Sequence, residues 1–177
     1  GDLFTSFGFA ESIAEESKEA AIIKNNTPIM VVIGNPPYSG ISANETKYAN
    51  NLVNKYKVEP DGKGKLQERK HWLNDDYVKF IAFAEDMVAK TGEGILGYIT
   101  NHGYLDNPTF RGMRWHLMSA FDEMYIMDLH GNSNKKEKTP EGNKDENVFD
   151  IQQGVAIILA IKNGKKKNNE LARVYHM

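Results

Sequence analysis

The run Val31-Val32-Ile33-Gly34-Asn35-Pro36-Pro37-Tyr38 decides how the rest of this sequence is read. Three β-branched apolar residues, preceded by Ile29 and Met30, mark a short strand, and Gly34, Asn35 and two prolines end it abruptly. The pattern predicts a strand over 29–33 that empties into a stiff turn. Each proline fixes its own φ, and Pro37 disfavours the helical conformation for Pro36, so the Pro36 carbonyl is held in one direction.

That turn has a chemical reading. An amino group on an aromatic ring is a poor nucleophile, because its lone pair is delocalised into the ring. Two acceptors that take its two N–H groups pull the nitrogen towards a tetrahedral, nucleophilic shape. The Asn35 side-chain oxygen and the Pro36 carbonyl are candidates for that pair. Tyr38 offers a π face on which a base can stack, worth about 1–3 kcal/mol per base in single-strand binders. A plain strand-to-turn transition uses the same residue types, since Asn and Pro are common turn formers.

The tetrapeptide Asn35-Pro36-Pro37-Tyr38 resembles the catalytic motif of amino-methyltransferases that use S-adenosylmethionine. The stretches GNPPYSGISAN, GYITNHGYLDNPTFRGMR, DLHGN and KDENVFDIQQGVAI follow in that order, and together they resemble the methyltransferase region of single-chain Type ISP and Type IIG restriction-modification enzymes. The likeness runs over most of residues 28–163. It implies methylation of adenine at N6 in double-stranded DNA, with Asn35 close to the cofactor's sulfonium and Tyr38 on the base. It also implies an aromatic residue, Phe149, beside a flipped base; a core aromatic entering a strand is the alternative for Phe149. Enzymes that methylate protein glutamine or RNA amino groups are similar in the tetrapeptide alone, and a non-catalytic DNA-binding remnant of the fold is a third reading.

Composition sets bounds. The 177 residues, 40% hydrophobic and 26% charged, suit one globular domain. There is no cysteine, which excludes disulfides and thiolate metal sites. No run approaches the ~18 apolar residues of a membrane span, and the first residues carry no basic leader, so a cytoplasmic protein without a membrane partner is expected. A formal charge of −2 argues against an intrinsically basic DNA-binding module.

Strand and helix signals alternate, as in a parallel sheet with crossover helices. Residues 10–24 read as a helix with Ile13, Ala14, Ala20, Ala21 and Ile22 or Ile23 on its apolar side. Residues 41–72 read as a polar insertion or mobile loop. Asn74 caps a helix that stops at Gly92; strand 95–100 follows, and Asn107-Pro108 opens a helix to about Phe121. Strands 124–129 and 155–161 come next, and LARVYHM starts one more. The fold class expected is α/β: by the resemblance, a partial Rossmann-like class I methyltransferase sheet whose strands are equivalent to the fourth, fifth, sixth and antiparallel seventh. The chain is then the C-terminal, motif-bearing half of the domain, a piece of something longer. The strand at 29–33 would lose a neighbour, and is expected to be covered by the N-terminal helix or paired across a dimer.

In open α/β sheets ligands bind outside the carboxyl ends of the strands, where 35–38, 101–104 and 130–132 fall. Asn101 and Tyr104 are therefore candidate substrate contacts, with His102 and His130 as cleft or plain loop residues. Gly92 to Gly97 spells GxGxxG, but it leaves a helix and enters a strand, the reverse of a cofactor loop. The main S-adenosylmethionine-binding loop is expected to lie outside these residues. Pro60-Asp61 with Glu68 and Lys70 spells a nuclease-like pattern in a segment that is not strand-like, and the five histidines show no paired metal spacing, so no metal is expected. Lys165 to Lys167 read as a solvated hairpin end.

Overall fold

The computed structural model describes residues 2–37, 40, 42–67, 71–149 and 151–177. The β-branched run forms strand β1 (Val31–Gly34), slightly later than the sequence predicts. Residues 29 and 30 are engaged elsewhere: the Ile29 N–H donates to Thr91 Oγ1 at 3.0 Å, and the Met30 carbonyl accepts from Ile95 N–H at 2.7 Å. Four more strands follow: β2 (Gly94–Asn101), β3 (Glu123–Asp128), β4 (Val155–Lys162) and β5 (Arg173–His176). They form one sheet in the order β1-β2-β4-β3-β5. β1 and β2 run parallel, β4 runs antiparallel between β2 and β3, and β5 is parallel to β3. This is the partial α/β sheet with an antiparallel strand that the sequence predicts, and LARVYHM supplies β5. Residues 163–172 do not close a hairpin, because β4 and β5 both pair with β3 and not with each other.

The helices are α1 (Asp2–Asn26), α2 (Lys47–Asn54), α3 (Asp76–Thr91) and α4 (Arg111–Ala120). α3 is capped by Asp75, one residue after the expected Asn74, and ends at Gly92, whose φ of 91° is the left-handed turn that glycine adopts freely. The GxGxxG pattern is thus a helix stop followed by a strand start. Asn107-Pro108 opens a single 3-10 turn, Pro108–Phe110, before α4 continues it.

The described residues of the segment 41–72 are not a structureless loop. They hold α2 and a 3-10 turn, Lys55–Lys57, and bury Val53, Tyr56 and Leu66 against α3 and α4. A buried carboxylate fixes them: Glu85 of α3 accepts from the Tyr56 hydroxyl at 2.6 Å, pairs with Lys55 at 3.0 Å and lies 2.9 Å from His116 Nδ1. Burial pushes the Glu85 carboxyl up, but the His116 contact and the Lys55 charge outweigh it and hold the group below its ordinary range.

α3 and α4 cover one face of the sheet. Leu96, Tyr98, Met124, Ile126, Ile158 and Ala160 point into that core and are buried. Every other residue faces the opposite side, and the ladder lines them up: Ile33 with Gly97, Leu159 with Gly97 and Tyr125, Ile99 with Ile157, Met127 with Ile157. On that face Ile33 is 75% exposed, and Val31, Met127 and Leu159 are exposed as well. The expected cover is not seen among the described side chains: residues 11–23 of α1 are exposed along their whole length, their apolar side included, and do not shield β1. No helix among the described residues is long and apolar enough to cross a membrane.

An exposed apolar face on a mixed sheet makes a direct prediction. Leu159→Lys and Met127→Lys on the 177-residue chain should each change its stability by no more than about 0.5 kcal/mol, as surface substitutions do. Both should reduce self-association seen by analytical ultracentrifugation. A loss of several kcal/mol in urea unfolding would show that these side chains are covered instead.

Candidate active site at the strand ends

The parallel alignment of β1 with β2, and the antiparallel insertion of β4, bring the carboxyl ends of β1, β2 and β3 to one edge of the sheet beside the start of β4. At the end of β1, Asn35 and Pro37 are exposed and Pro36 is buried. Tyr38 lies outside the described residues, as do Glu68 and Lys70 of the nuclease-like pattern.

The segment leaving the motif is fastened to the start of α3. The Gly40 N–H donates to Asp75 Oδ2 at 3.0 Å. Ser42 donates to the Asp76 carboxylate and accepts from Lys79 Nζ at 2.9 Å, while Lys79 also donates to the Asn44 carbonyl. Asp75 and Lys79 are both buried, so these are hydrogen bonds in a low-dielectric setting, where a lost partner is costly.

A cavity of about 390 Å³ opens next to this anchor. Gly40 and Asp75 border it on the motif side, Trp72, Tyr77 and Phe110 give it aromatic walls, and Asn101, Gly103, Asn107 and Asn132 line the strand ends. The asparagines share a habit: each spends its oxygen on a backbone N–H two or three residues on. Asn101 accepts from Gly103 at 2.7 Å, Asn107 from Thr109 at 2.9 Å and Asn132 from Lys135 at 3.1 Å. Among the described residues, the Nδ2 groups of Asn101 and Asn107 have no protein partner. Flat aromatic walls with free amide donors suit a planar ring that carries acceptor nitrogens.

His102 is bonded to Asn132 of this cavity and itself lines the neighbouring cavity between α4 and β5. It is 3% exposed; its Nδ1 is 2.9 Å from Asp128 Oδ1 and its Nε2 is 3.0 Å from Asn132 Nδ2. Burial pushes the Asp128 carboxyl up, but the bonds from His102 and from the His130 N–H prevail and hold it below the ordinary carboxylate range. His130 itself has a positive φ of 54° and is exposed. Its members come from the end of β2 and from the end of β3 with the loop beyond it, two strand ends that the sequence puts on one rim, but the bonds among them are not readable from residue types.

The other candidates scatter. Tyr104 is a core residue, 1% exposed, with its ring centroid 6.2 Å from that of Tyr77; burial pushes its hydroxyl well up. Phe149 is 39% exposed and borders a separate cavity of about 450 Å³ with Lys144, Val148 and Ile151, so the structure does not place it with Asn101. A cavity of about 460 Å³ lies between α4 and β5, floored by Leu117, Met124 and Ile126. It is larger than the Asn101 cavity, but it does not border the segment around the motif, so the Asn101 cavity is the better candidate. Lys166 does not reach for a ligand: it donates to the Ser119 and Phe121 carbonyls at 2.6 and 2.8 Å and caps α4. No group of three or more potential metal ligands occurs among the described residues.

The family model for the Eco57I restriction-modification methylase matches residues 6–135. No curated protein matches significantly. Among solved structures, the chain resembles the ATP-dependent Type ISP restriction-modification enzyme LlaBIII bound to DNA, with a TM-score of 0.73 and 28% identity over 90% of this chain and 10% of that one. It also resembles the DrdV–DNA complex, with a TM-score of 0.69 and 27% identity over 92% of this chain and 16% of the other. A nuclease-deletion mutant of the Type ISP enzyme LlaGI in complex with a DNA substrate mimic shares the fold, with a TM-score of 0.67 and 21% identity over 97% of this chain and 16% of that one. The chain thus spans 10% to 16% of the length of these structures.

The Asp128 site yields a pH prediction. A carboxyl with a lowered folded pKa contributes stability that is present above its unfolded pKa and is lost as pH falls through the folded value. Asp128→Asn should therefore destabilise the chain at pH 6, and the gap to the wild type should close below the ordinary carboxylate range. Urea unfolding at pH 6 and pH 3 measures it; an equal gap at both would show that the Asp128 charge is not what the fold uses.

Proposed function

Because this chain belongs to the Eco57I restriction-modification methylase family, we propose that it is the base-holding half of a DNA methyltransferase that modifies the N6 amino group of adenine with S-adenosylmethionine. The observation that carries this is the meeting at one sheet edge of the Asn35-Pro36 turn and an aromatic, amide-lined cavity. The DNA named in the LlaBIII and DrdV structures favours DNA over protein glutamine or RNA as the substrate.

In this reading double-stranded DNA is the partner, and the adenine leaves the stack, since its amino group is out of reach while paired. The Asn35 oxygen and the Pro36 carbonyl accept from N6, and Tyr38 stacks on the ring. The free Nδ2 of Asn101 donates to a ring nitrogen. Tyr104 backs this wall from the core, and Phe149, which borders the separate cavity beside Lys144, is not needed for it. The work of the chain is to bind, orient and polarise the amino group; neither a general base nor a covalent nucleophile is needed. A cytoplasmic location fits such an enzyme.

The cofactor supplies an electrophilic methyl group. Of a pocket for it we assign one edge to the described residues, around Asn35; the GxGxxG of residues 92–97 is spent on ending α3 and starting β2. The rest of the pocket belongs beyond the open side of β1, where a further strand or a second copy of the chain would pair with it.

Asn35→Ala in the complete enzyme should lower methyl transfer about a hundredfold or more, as the loss of one preorganised transition-state partner does, with folding retained. Transfer of a tritiated methyl group to DNA measures it, and near-normal turnover would remove Asn35 from the mechanism. The 177 residues alone should be inactive and should not bind S-adenosylmethionine at micromolar concentration. A calorimetric titration showing one tight site per chain would place the whole cofactor pocket within them.

A further inference from the structure

His102 is a buried imidazole that the proposed chemistry does not use, and its bonds tie together the segments around the cavity. Its backbone N–H donates to the Gly154 carbonyl at 3.0 Å, joining the exit of β2 to the start of β4. Its ring joins Asp128 at the end of β3 to Asn132 in the loop beyond. Gly154 is pressed on the ring so closely that a Cβ there would lie 2.3 Å from the imidazole. No side chain other than hydrogen fits at that position, so the ring is clamped from below as well as at both nitrogens.

The hydrogen-bond pattern assigns the proton. Asn132 Oδ1 accepts from the Lys135 N–H, which fixes the amide with Nδ2 towards the ring. Nδ2 can only donate, so His102 Nε2 must accept, and the ring proton sits on Nδ1, donated to the Asp128 carboxylate. The imidazole is therefore held as one neutral tautomer. A second proton on the ring would set two donors face to face at Asn132.

We propose that His102 is a positioning residue for the target base: through its unprotonated Nε2 it holds Asn132 as a fixed wall of the base cavity. The proposal rests on the methyltransferase reading above. Asn132 lines the cavity and is 9% exposed; its amide keeps one N–H beyond the one given to His102, and that N–H is the group offered to the base. Misplacing such a contact by about 1 Å costs an enzyme up to a hundredfold in rate. Asp128 acts through His102 by fixing the tautomer, as a carboxylate behind a histidine does.

The test uses the complete enzyme, with tritiated methyl transfer for rates and 2-aminopurine fluorescence at the target position for flipping. Asn132→Ala should lower kcat about tenfold or more, leave the KM for DNA within about twofold and reduce the flipping signal. His102→Gln places an amide oxygen where Nε2 was and should keep kcat within about threefold of the wild type. His102→Asn restores the Asp128 side of the ring only and should match Asn132→Ala, and the double variant should be no worse than either alone. Normal kcat in Asn132→Ala, equal activity of the Gln and Asn variants, or additive losses would overturn the proposal. Should His102→Asn fail to fold, Asn132→Ala and His102→Gln decide alone. A wild-type enzyme that transfers no methyl group to DNA overturns the parent reading and this one with it. An inactive Asn35→Ala beside a normal Asn132→Ala overturns this one only.

Discussion

The ladder between β2 and β4 governs the arrangement of everything else. It pairs eight residues on each strand, from Gly94 with Lys162 to Asn101 with Val155, and it runs antiparallel inside a sheet whose other neighbours of β2 and β3 are parallel. That reversal places the first residues of β4 beside the last residues of β2 and β3. The consequence is a single rim on which the turn at Asn35, the asparagines at 101 and 132, and the glycine at 154 all sit. A parallel β4 would put its start at the opposite end and leave the imidazole of His102 without Gly154 beneath it.

Buried polar groups then fasten the periphery to that frame. Glu85 holds the segment around Tyr56, Lys79 and Asp75 hold the residues after the motif, and Asp122 accepts from the backbone N–H groups of Asn163, Gly164 and Lys166 at 2.6, 2.8 and 3.2 Å. In each case a carboxylate or ammonium outside the regular ladder immobilises a loop that has little apolar surface of its own. Such anchors are specific because a displaced partner leaves a charge poorly solvated.

The strands and the two covering helices were legible because local pattern and tertiary role agree there. Ile95–Thr100 is a short, nearly continuous apolar run bounded by glycine and asparagine, and Tyr77, Ile81, Ala84 and Val88 recur at helical spacing and are buried. The segment 41–72 misled because its sequence is dominated by Asn and Lys, while its burial rests on a few residues, Val53, Tyr56 and Leu66, whose partners lie in α3 and α4. α1 misled in the opposite sense: isoleucines and alanines at helical spacing predict a covered face, and the described part of the helix is exposed throughout. The turn at Asn35 was readable from residue types alone, since Gly34, Asn35 and the prolines end the β-branched run where β1 ends. The His102–Asp128–Asn132 network was not, because no spacing rule links a histidine to acceptors and donors so far along the chain.

The strand order also dictates how the sheet can be made on the ribosome. β1 and β2 lie next to each other with α3 between them in sequence, so that unit can close as soon as residue 101 is available. β3 must wait, because the strand that joins it to β2 is β4, made after it, and loop-closure entropy has to be met before that pairing returns any energy. Until residue 162 emerges the nascent chain carries two unjoined apolar pieces.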